Sequence, residues 1–423
     1  MSNQQDGQKR ARTGGKDGRM SRREFMAGTS AAAFTFSIMK PGLVRGTEAN
    51  SKISMGLIGC GGRGVWLADL CKQHGGYEMV AGADYFGDRV NSFGERFKIP
   101  KDRLYETLSG YQRLLESDVD AVMVETPPYF HPEQAAAAVE AGKHVYLAKP
   151  IAVDVPGCQS VGASGKKATE KKLCFLVDFQ TRANEFYIEA LKRVHAGAIG
   201  ELVFGEATYH AGFPFNHMVE ALAKDPTNSE VRLRSWGLDR VLSGDIITEQ
   251  NIHTLDVLNW VMDKPPIQAF GNGGRKFRNE VGDIWGNFTV LFQYSKDVGV
   301  TFSSRQSNGY GTDEGIKNRM FGTEGVLETT YGGKVLIRAA KEDFYRGGET
   351  TNIYTEGAKT NLATFYDNIT GGKFENSTVK PSVQSNLLTV LGRTAAYENR
   401  VVTWKEIMSS REKLKIDRKG LKS

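Results

Sequence analysis

ISMGLIGCGGRGVWLADLCKQ, residues 53 to 73, decides how the first half of the chain is read. Ile53 to Ile58 is an apolar run of strand length, and Arg63 to Gln73 carries apolar residues at helical spacing. Between them, Gly59-Cys60-Gly61-Gly62-Arg63-Gly64 fits G-x-G-x-x-G. Alone the pattern is weak in a chain with 48 glycines; set between a strand and a helix it acquires a mechanism. Glycines there permit a tight turn and let backbone N–H groups approach a pyrophosphate at a helix N-terminus. Asp84 ends the next expected strand, EMVAGAD. A carboxylate at that place accepts hydrogen bonds from ribose hydroxyls and repels a 2′-phosphate, so NAD is favoured over NADP. A plain strand-end turn is the other role open to Asp84.

Outward from this stretch, strands and helices alternate through DAVMVET, HPEQAAAAVEAG and KHVYLA. Alternation of that kind implies right-handed crossovers and a parallel sheet. After about residue 180 the rhythm changes to successive strand-like runs, among them GELVFGEATYHAG, IQAFGNGG, GNFTVLFQYS, GVTFSSRQ and KVLIR. Helical patterns near 251–262, 361–371 and 382–398 would cover one face of the resulting sheet. The expected fold is α/β: an N-terminal Rossmann dinucleotide-binding domain over 51–178, then an α/β domain over 179–423 with a large, mostly antiparallel open sheet. The second domain is expected to carry substrate and to pair subunits as a homo-oligomer.

The 423 residues are 40% hydrophobic and 25% charged, enough chain for two cores. The net charge of +6 is concentrated at the ends, since residues 1–24 and 405–423 each hold seven Lys/Arg against three Asp/Glu. The body between them is slightly acidic, which argues against a nucleic-acid surface. Cys60, Cys71, Cys158 and Cys174 lack metal or redox spacing and are expected to be buried thiols, with no metal site.

DAVMVETPPYFHPEQAAAAVEAGKHVYLAKPIAVD, residues 120–154, is the most diagnostic segment. Its Thr126, Pro127 and His131, then Ala141-Gly142-Lys143-His144-Val145, then Lys149-Pro150 resemble the Gfo/Idh/MocA family, relatives of glucose–fructose oxidoreductase and inositol dehydrogenase. Members carry a T-P-x-x-x-H turn and an A-G-K-H-V…E-K-P ending. The resemblance spans about residues 51 to 405 and implies a nicotinamide cofactor between two domains, with Lys149 contacting the substrate hydroxyl and nicotinamide region. Lys149 follows a strand's carboxyl end, where a doubly wound sheet opens its binding crevice. Ala148 stands where the family usually has Glu, so the orientation of Lys149 must come from elsewhere. The expected cofactor residues are Gly59, Gly61, Gly62, Arg63, Gly64, Asp84, Thr126, Pro127, His131 and Lys149. A capping or packing role for His131 is equally open.

The second constellation is SGDIITEQNIHTLDVLNWVMD, residues 243–263. His253, Asp256 and Trp260 match a family pattern close to G-G-x-L-x-D-x-G-x-H-x-x-D, with Glu249 in place of its aspartate and Asn251 in place of its glycine. On one continuous helix, 249, 253, 256 and 260 share a face. Glu249 would then orient His253 as general base, with Asp256 supporting it or reaching substrate. Arg182, Tyr187, Tyr209 and His210, with Asn184, are further candidate substrate contacts, since relatives place polar residues in both regions.

The function expected from these residues is an NAD-dependent oxidoreductase moving a hydride between a sugar, polyol or glycoside carbinol and a tightly held nicotinamide. Lys149, His253 and Glu249 are its expected catalytic group. An alternative is a redox-neutral glycosidase or lyase working by transient oxidation and elimination. A third class is a non-catalytic sugar binder, against which the intact Lys149 and His253 stand.

Residues 21–40, SRREFMAGTSAAAFTFSIMK, resemble a twin-arginine signal through Ser21, Arg22, Arg23, Glu24, Phe25 and Met26. No clean A-x-A site follows, and residues 1–50 read as signal and linker. The twin-arginine export machinery is thus an expected partner and the periplasm the expected location. No apolar run is long enough to span a bilayer. That route moves folded proteins, so a cofactor loaded in the cytoplasm would travel with the chain.

Overall fold

The computed structural model describes residues 52–277, 281–310 and 315–423. The expected export signal lies outside these residues. The first sheet has six parallel strands: β1 Ile53–Ile58, β2 Tyr77–Asp84, β3 Leu104–Glu106, β4 Ala121–Val124, β5 His144–Ala148 and β6 Phe175–Asp178. Their order is β3-β2-β1-β4-β5-β6, so the chain reverses direction across the sheet between β1 and β4. β4 and β6 are buried along their whole length and β5 is buried beyond His144, as strands covered by helices on both faces must be. A crevice opens at the carboxyl ends of β1 and β4, where the order reverses.

The second sheet has nine strands: β7 Leu202–Ala211, β8 Gln268–Gly274, β9 Asn287–Gln293, β10 Gly299–Gln306, β11 Gly315–Gly322, β12 Val326–Thr330, β13 Lys334–Arg338, β14 Tyr345–Glu349 and β15 Val402–Thr403. Their order is β14-β13-β12-β11-β7-β10-β9-β8-β15. Every pairing is antiparallel except β7 with β10. Burial alternates along the strands: Phe288, Val290 and Phe292 point inward, while Thr289 and Leu291 face out. Helices Ile252–Met262 and Val379–Glu398 cover the inner face.

The two sheets share one apolar cluster, which runs from Val124 and Leu147 through Leu255 and Leu258 to Phe292 and Leu391. Helix Ile353–Thr370 returns to the first sheet, where Tyr354 stacks on Trp66 at 4.9 Å and Leu362 and Phe365 pack with Met55 and Leu57. The four cysteines are free and buried, as their spacing predicts. No helix among the described residues is long and apolar enough to cross a membrane.

Candidate active site

The glycine-rich turn follows β1 and leads into helix Gly62–His74, which has Gly61 as its N-cap. Gly59 has φ +99°, a left-handed conformation that favours glycine. A Cβ on Gly64 would lie 2.2 Å from the Gly59 carbonyl oxygen, so these two glycines are needed for the turn itself. Gly61 and Gly62 differ. A Cβ on Gly62 would meet nothing within 4 Å, and one on Gly61 only Arg89 Nη1 at 3.9 Å. Their backbone therefore faces open space, a cradle suited to a pyrophosphate.

That space belongs to a cavity of about 270 Å³ lined by Gly59, Gly61, Gly62, Asp84, Thr126 and Pro127, with Tyr111, Phe130 and Trp236 among its apolar walls. Asp84 braces the turn, accepting from Cys60 N–H at 2.8 Å and Phe86 N–H at 2.9 Å. Each oxygen keeps a lone pair for a further donor. Burial raises the Asp84 pKa. Arg89 was not anticipated from the sequence; it places a cation beside the cradle, and its position one turn into helix Gly87–Phe97 is the only cue to it.

His131 does not face this cavity. Its Nδ1 lies 2.8 Å from Pro150 O and its Nε2 2.7 Å from Thr126 O, so the ring joins the turns that follow β4 and β5. Burial drives its pKa down to about 4, although both carbonyls favour the charged form. Of the two roles open to it, the structure gives it packing, and the cofactor contact is withdrawn.

At the other end of the crevice Lys149 leaves β5 and is almost wholly covered. Its ammonium donates to Glu249 O at 2.7 Å and lies 3.6 Å from Glu249 Oε1. The expected continuous helix through Glu249 and His253 is absent, and its absence explains this contact. Helix Ile246–Glu249 stops, Gln250 and Asn251 turn, and helix Ile252–Met262 begins anew. His253 N–H bonds Gln250 O at 3.2 Å instead of Glu249 O, so the Glu249 carbonyl is released to take the lysine. Glu249 thus supplies both a dipole and a charge, which answers how Lys149 is oriented without a carboxylate at position 148.

His253 sits beside this pair, with its ring 5.0 Å from that of Tyr331. Burial first, then the positive charges of Lys149 and Arg63, pull its pKa well below the usual imidazole value. It is therefore neutral at neutral pH, the form that accepts a proton. Burial likewise lowers the Lys149 pKa, and the Glu249 charge pulls it back up.

Arg63 joins the two ends. Its guanidinium pairs with Asp178, bonds Tyr354 OH, and lies 3.1 Å from Glu125 Oε2. Asn361 Nδ2 donates to the other Asp178 oxygen at 2.7 Å. Arg63 is thus a pin between the glycine turn, the ends of β4 and β6, and helix Ile353–Thr370. Glu125, inside the crevice, is pushed up to about 8 by burial, with Arg63 opposing. Among the described residues, several buried polar atoms nearby lack hydrogen-bond partners: Glu125 Oε1, Gln180 Oε1, Thr181 Oγ1, both amide atoms of Asn251, His253 Nδ1 and Tyr331 OH. Each unsatisfied group costs about 1–3 kcal/mol, and a polyhydroxylated ligand could pair them.

Four expected substrate contacts are corrected. Arg182 is bidentate to Asp256, with Nε at 2.9 Å from each carboxylate oxygen, and Ser385 Oγ donates to the same carboxylate at 2.6 Å. Asp256 is fully buried, so this pair ties the β6 loop to helix Ile252–Met262 and takes up the Asp256 carboxylate, which cannot reach substrate. Tyr187 is core, 2% exposed. His210 follows Tyr209 on β7, so the two point to opposite faces; His210 reaches Ser303 Oγ at 3.1 Å on the outer side of the sheet. Tyr209 points inward, toward Glu249 and Tyr331. Asn184 caps helix Glu185–His195. No group of acidic, His or Cys residues suited to a metal occurs among the described residues.

The oxidoreductase family described as NAD-binding Rossmann fold matches residues 53–179, and the GFO/IDH/MocA C-terminal domain matches 187–328. The chain belongs to the Gfo/Idh/MocA oxidoreductase family. The glycine turn and Asp84 lie within the part of the chain matched as NAD-binding Rossmann fold. The myo-inositol 2-dehydrogenase of Thermotoga maritima is 23% identical over 362 residues, covering 84% of this chain and 99% of that protein. An α-N-acetylgalactosaminidase of Shewanella oneidensis is 29% identical over 162 residues, 37% of this chain and 35% of that one. In fold, the chain matches the aldose-aldose oxidoreductase of Caulobacter crescentus with a TM-score of 0.65 at 17% identity, covering 83% of this chain and 99% of that structure.

Proposed function

We propose that this family member oxidises and reduces a carbinol of a sugar, polyol or glycoside, with Lys149, His253 and Glu249 as the reacting group. The observation that carries the reading is the buried Lys149 ammonium, held on the Glu249 carbonyl next to a neutral His253. NAD, held by the Gly59–Gly64 turn and Asp84, would supply the hydride acceptor. His253 accepts the hydroxyl proton, which its depressed pKa allows across the neutral range. Lys149 donates to the same oxygen and stabilises the negative charge that develops as the C–H bond weakens. Glu249 keeps the ammonium charged and aimed, and Arg63 holds the two walls of the crevice in fixed register.

Glu249→Gln separates the two contributions of that residue. The backbone carbonyl still aims Lys149, but the charge that raises its pKa is gone, so the ammonium deprotonates at lower pH. The alkaline limb of the pH–rate profile is expected to move toward neutrality, with a smaller change at pH 6. An unmoved limb would show that the carboxylate does not govern Lys149.

A second reading, redox-neutral cleavage of a glycoside, is favoured by the similarity to the Shewanella oneidensis glycosidase. The two readings part when purified protein is given aryl glycosides with no added cofactor. Steady sugar release supports cleavage by a resident NAD; turnover only with added NAD, and reduction of that NAD, supports net oxidation. Export of the loaded protein through the twin-arginine route is part of this proposal and is checked by fractionating cells that express Arg22→Lys/Arg23→Lys.

A further inference from the structure

The basic C-terminal stretch has no part in the chemistry above, yet it is fastened to residues that line the cofactor cavity. Residues 410–423 run without helix or strand. Leu414 N–H donates to Asp154 Oδ2 at 2.9 Å, Arg418 lies 3.6 Å from Glu133, and Lys419 O accepts from Ser229 Oγ at 2.8 Å. Lys422 O accepts from Leu108 N–H at 3.2 Å, and its own N–H donates to Tyr85 OH at 3.1 Å. Ile416 and Leu421 pack in one cluster with Phe86, Phe130, Leu233 and Leu242.

Several of these anchors are walls of the cavity. Tyr85, Phe86, Leu108, Phe130 and Leu233 all line it. Leu233 belongs to helix Ser229–Arg234, whose Arg234 grips Asp88 beyond β2 at 2.8 and 3.0 Å. Tyr85, adjacent to Asp84, is the node. Its hydroxyl donates to Glu230 Oε1 at 2.5 Å on that helix and accepts from Lys422. Leu233 of this helix lines the same cavity as Gly61 and Gly62, so the helix would help to enclose a dinucleotide held on the glycine cradle. The C-terminal stretch ties this helix to the loops after β2 and β3, so lifting the helix to release the ligand would have to break those ties. Departure therefore requires breaking several polar contacts and one apolar cluster together, a local opening that a free loop would make easily.

We infer that residues 411–423 are a retaining strap that sets how long the dinucleotide stays bound. The strap acts on residence time, with the catalytic group of Lys149 and His253 untouched by it. Its basic residues also add positive potential around the site that receives an anionic ligand. The inference rests on the cavity being the NAD site.

The test uses NADH as probe. Protein loaded with NADH is mixed with excess NAD in a stopped-flow instrument, and the loss of bound-NADH fluorescence gives the dissociation rate. A chain ending at Ser410 is expected to release NADH about a hundredfold faster, and full-length Leu421→Asp about tenfold faster, as affinity differences between related complexes fall mainly on dissociation. Circular dichroism establishes that each variant is folded; if the shortened chain is not, Leu421→Asp decides. Dissociation at the wild-type rate in the folded variants overturns the strap and leaves the cofactor reading intact. Wild-type protein that neither carries a nicotinamide dinucleotide as purified nor binds NADH overturns both.

Discussion

Lys149→Ala and His253→Ala are each expected to lower turnover by about a hundredfold or more while NADH still binds. Turnover is followed as NADH absorbance with myo-inositol and common aldoses as probes, and binding as NADH fluorescence. The two losses arise differently. On the proposed mechanism His253 is the neutral base: its removal would leave the substrate proton without an acceptor, and the acid limb of the pH–rate profile should disappear with it. Lys149 is the fixed cation. Removing it strips the developing alkoxide of a donor that needs no reorganisation, because the Glu249 carbonyl already holds it at 2.7 Å. Both side chains stand apart from the Gly61–Gly62 cradle, so cofactor affinity should change little. Wild-type rates in both variants would remove this pair from the mechanism.

How much of this was legible in the sequence depended on the range of the interaction. The glycine turn, the strand before it and the Asp84 strand end are local, and local pattern read them. The alternation of β9 and the buried run of β4 were legible for the same reason, since burial imposes its period on neighbours. The break at Gln250–Asn251 was not, because 249, 253, 256 and 260 fit a helical face as well as any stripe does. What overrides that periodicity is a buried ammonium 100 residues earlier in the chain that needs an acceptor. Arg63 shows the same limit more sharply. Its partners Glu125, Asp178 and Tyr354 come from three separate segments, the last 291 residues away. A cue existed for Glu125 and Asp178, each a carboxylate at the end of a buried strand, where only a paired or functional charge is tolerated. None existed for Tyr354. Arg182 and Asp256 were found as residues, but their mutual pairing is a tertiary fact that turned two expected ligand contacts into a brace.

That brace supports the second large effect, on stability. Arg182→Ala is expected to cost about 3–5 kcal/mol, read by urea unfolding, because it leaves a buried carboxylate without its counter-charge. Asp256 is 0% exposed, and Ser385 Oγ remains as its one side-chain donor. Replacing both partners, Arg182→Met with Asp256→Leu, should recover much of the loss, because two apolar side chains of similar volume impose no desolvation penalty. A substrate-binding role makes the opposite forecast. Arg182→Ala would then unfold like the wild type, the double substitution would be no better than the single one, and the apparent KM would rise while stability stood still. The stacking of the Arg182 guanidinium on Trp260 at 4.9 Å adds to the brace and to the expected cost, since the alanine loses that contact as well as the ion pair.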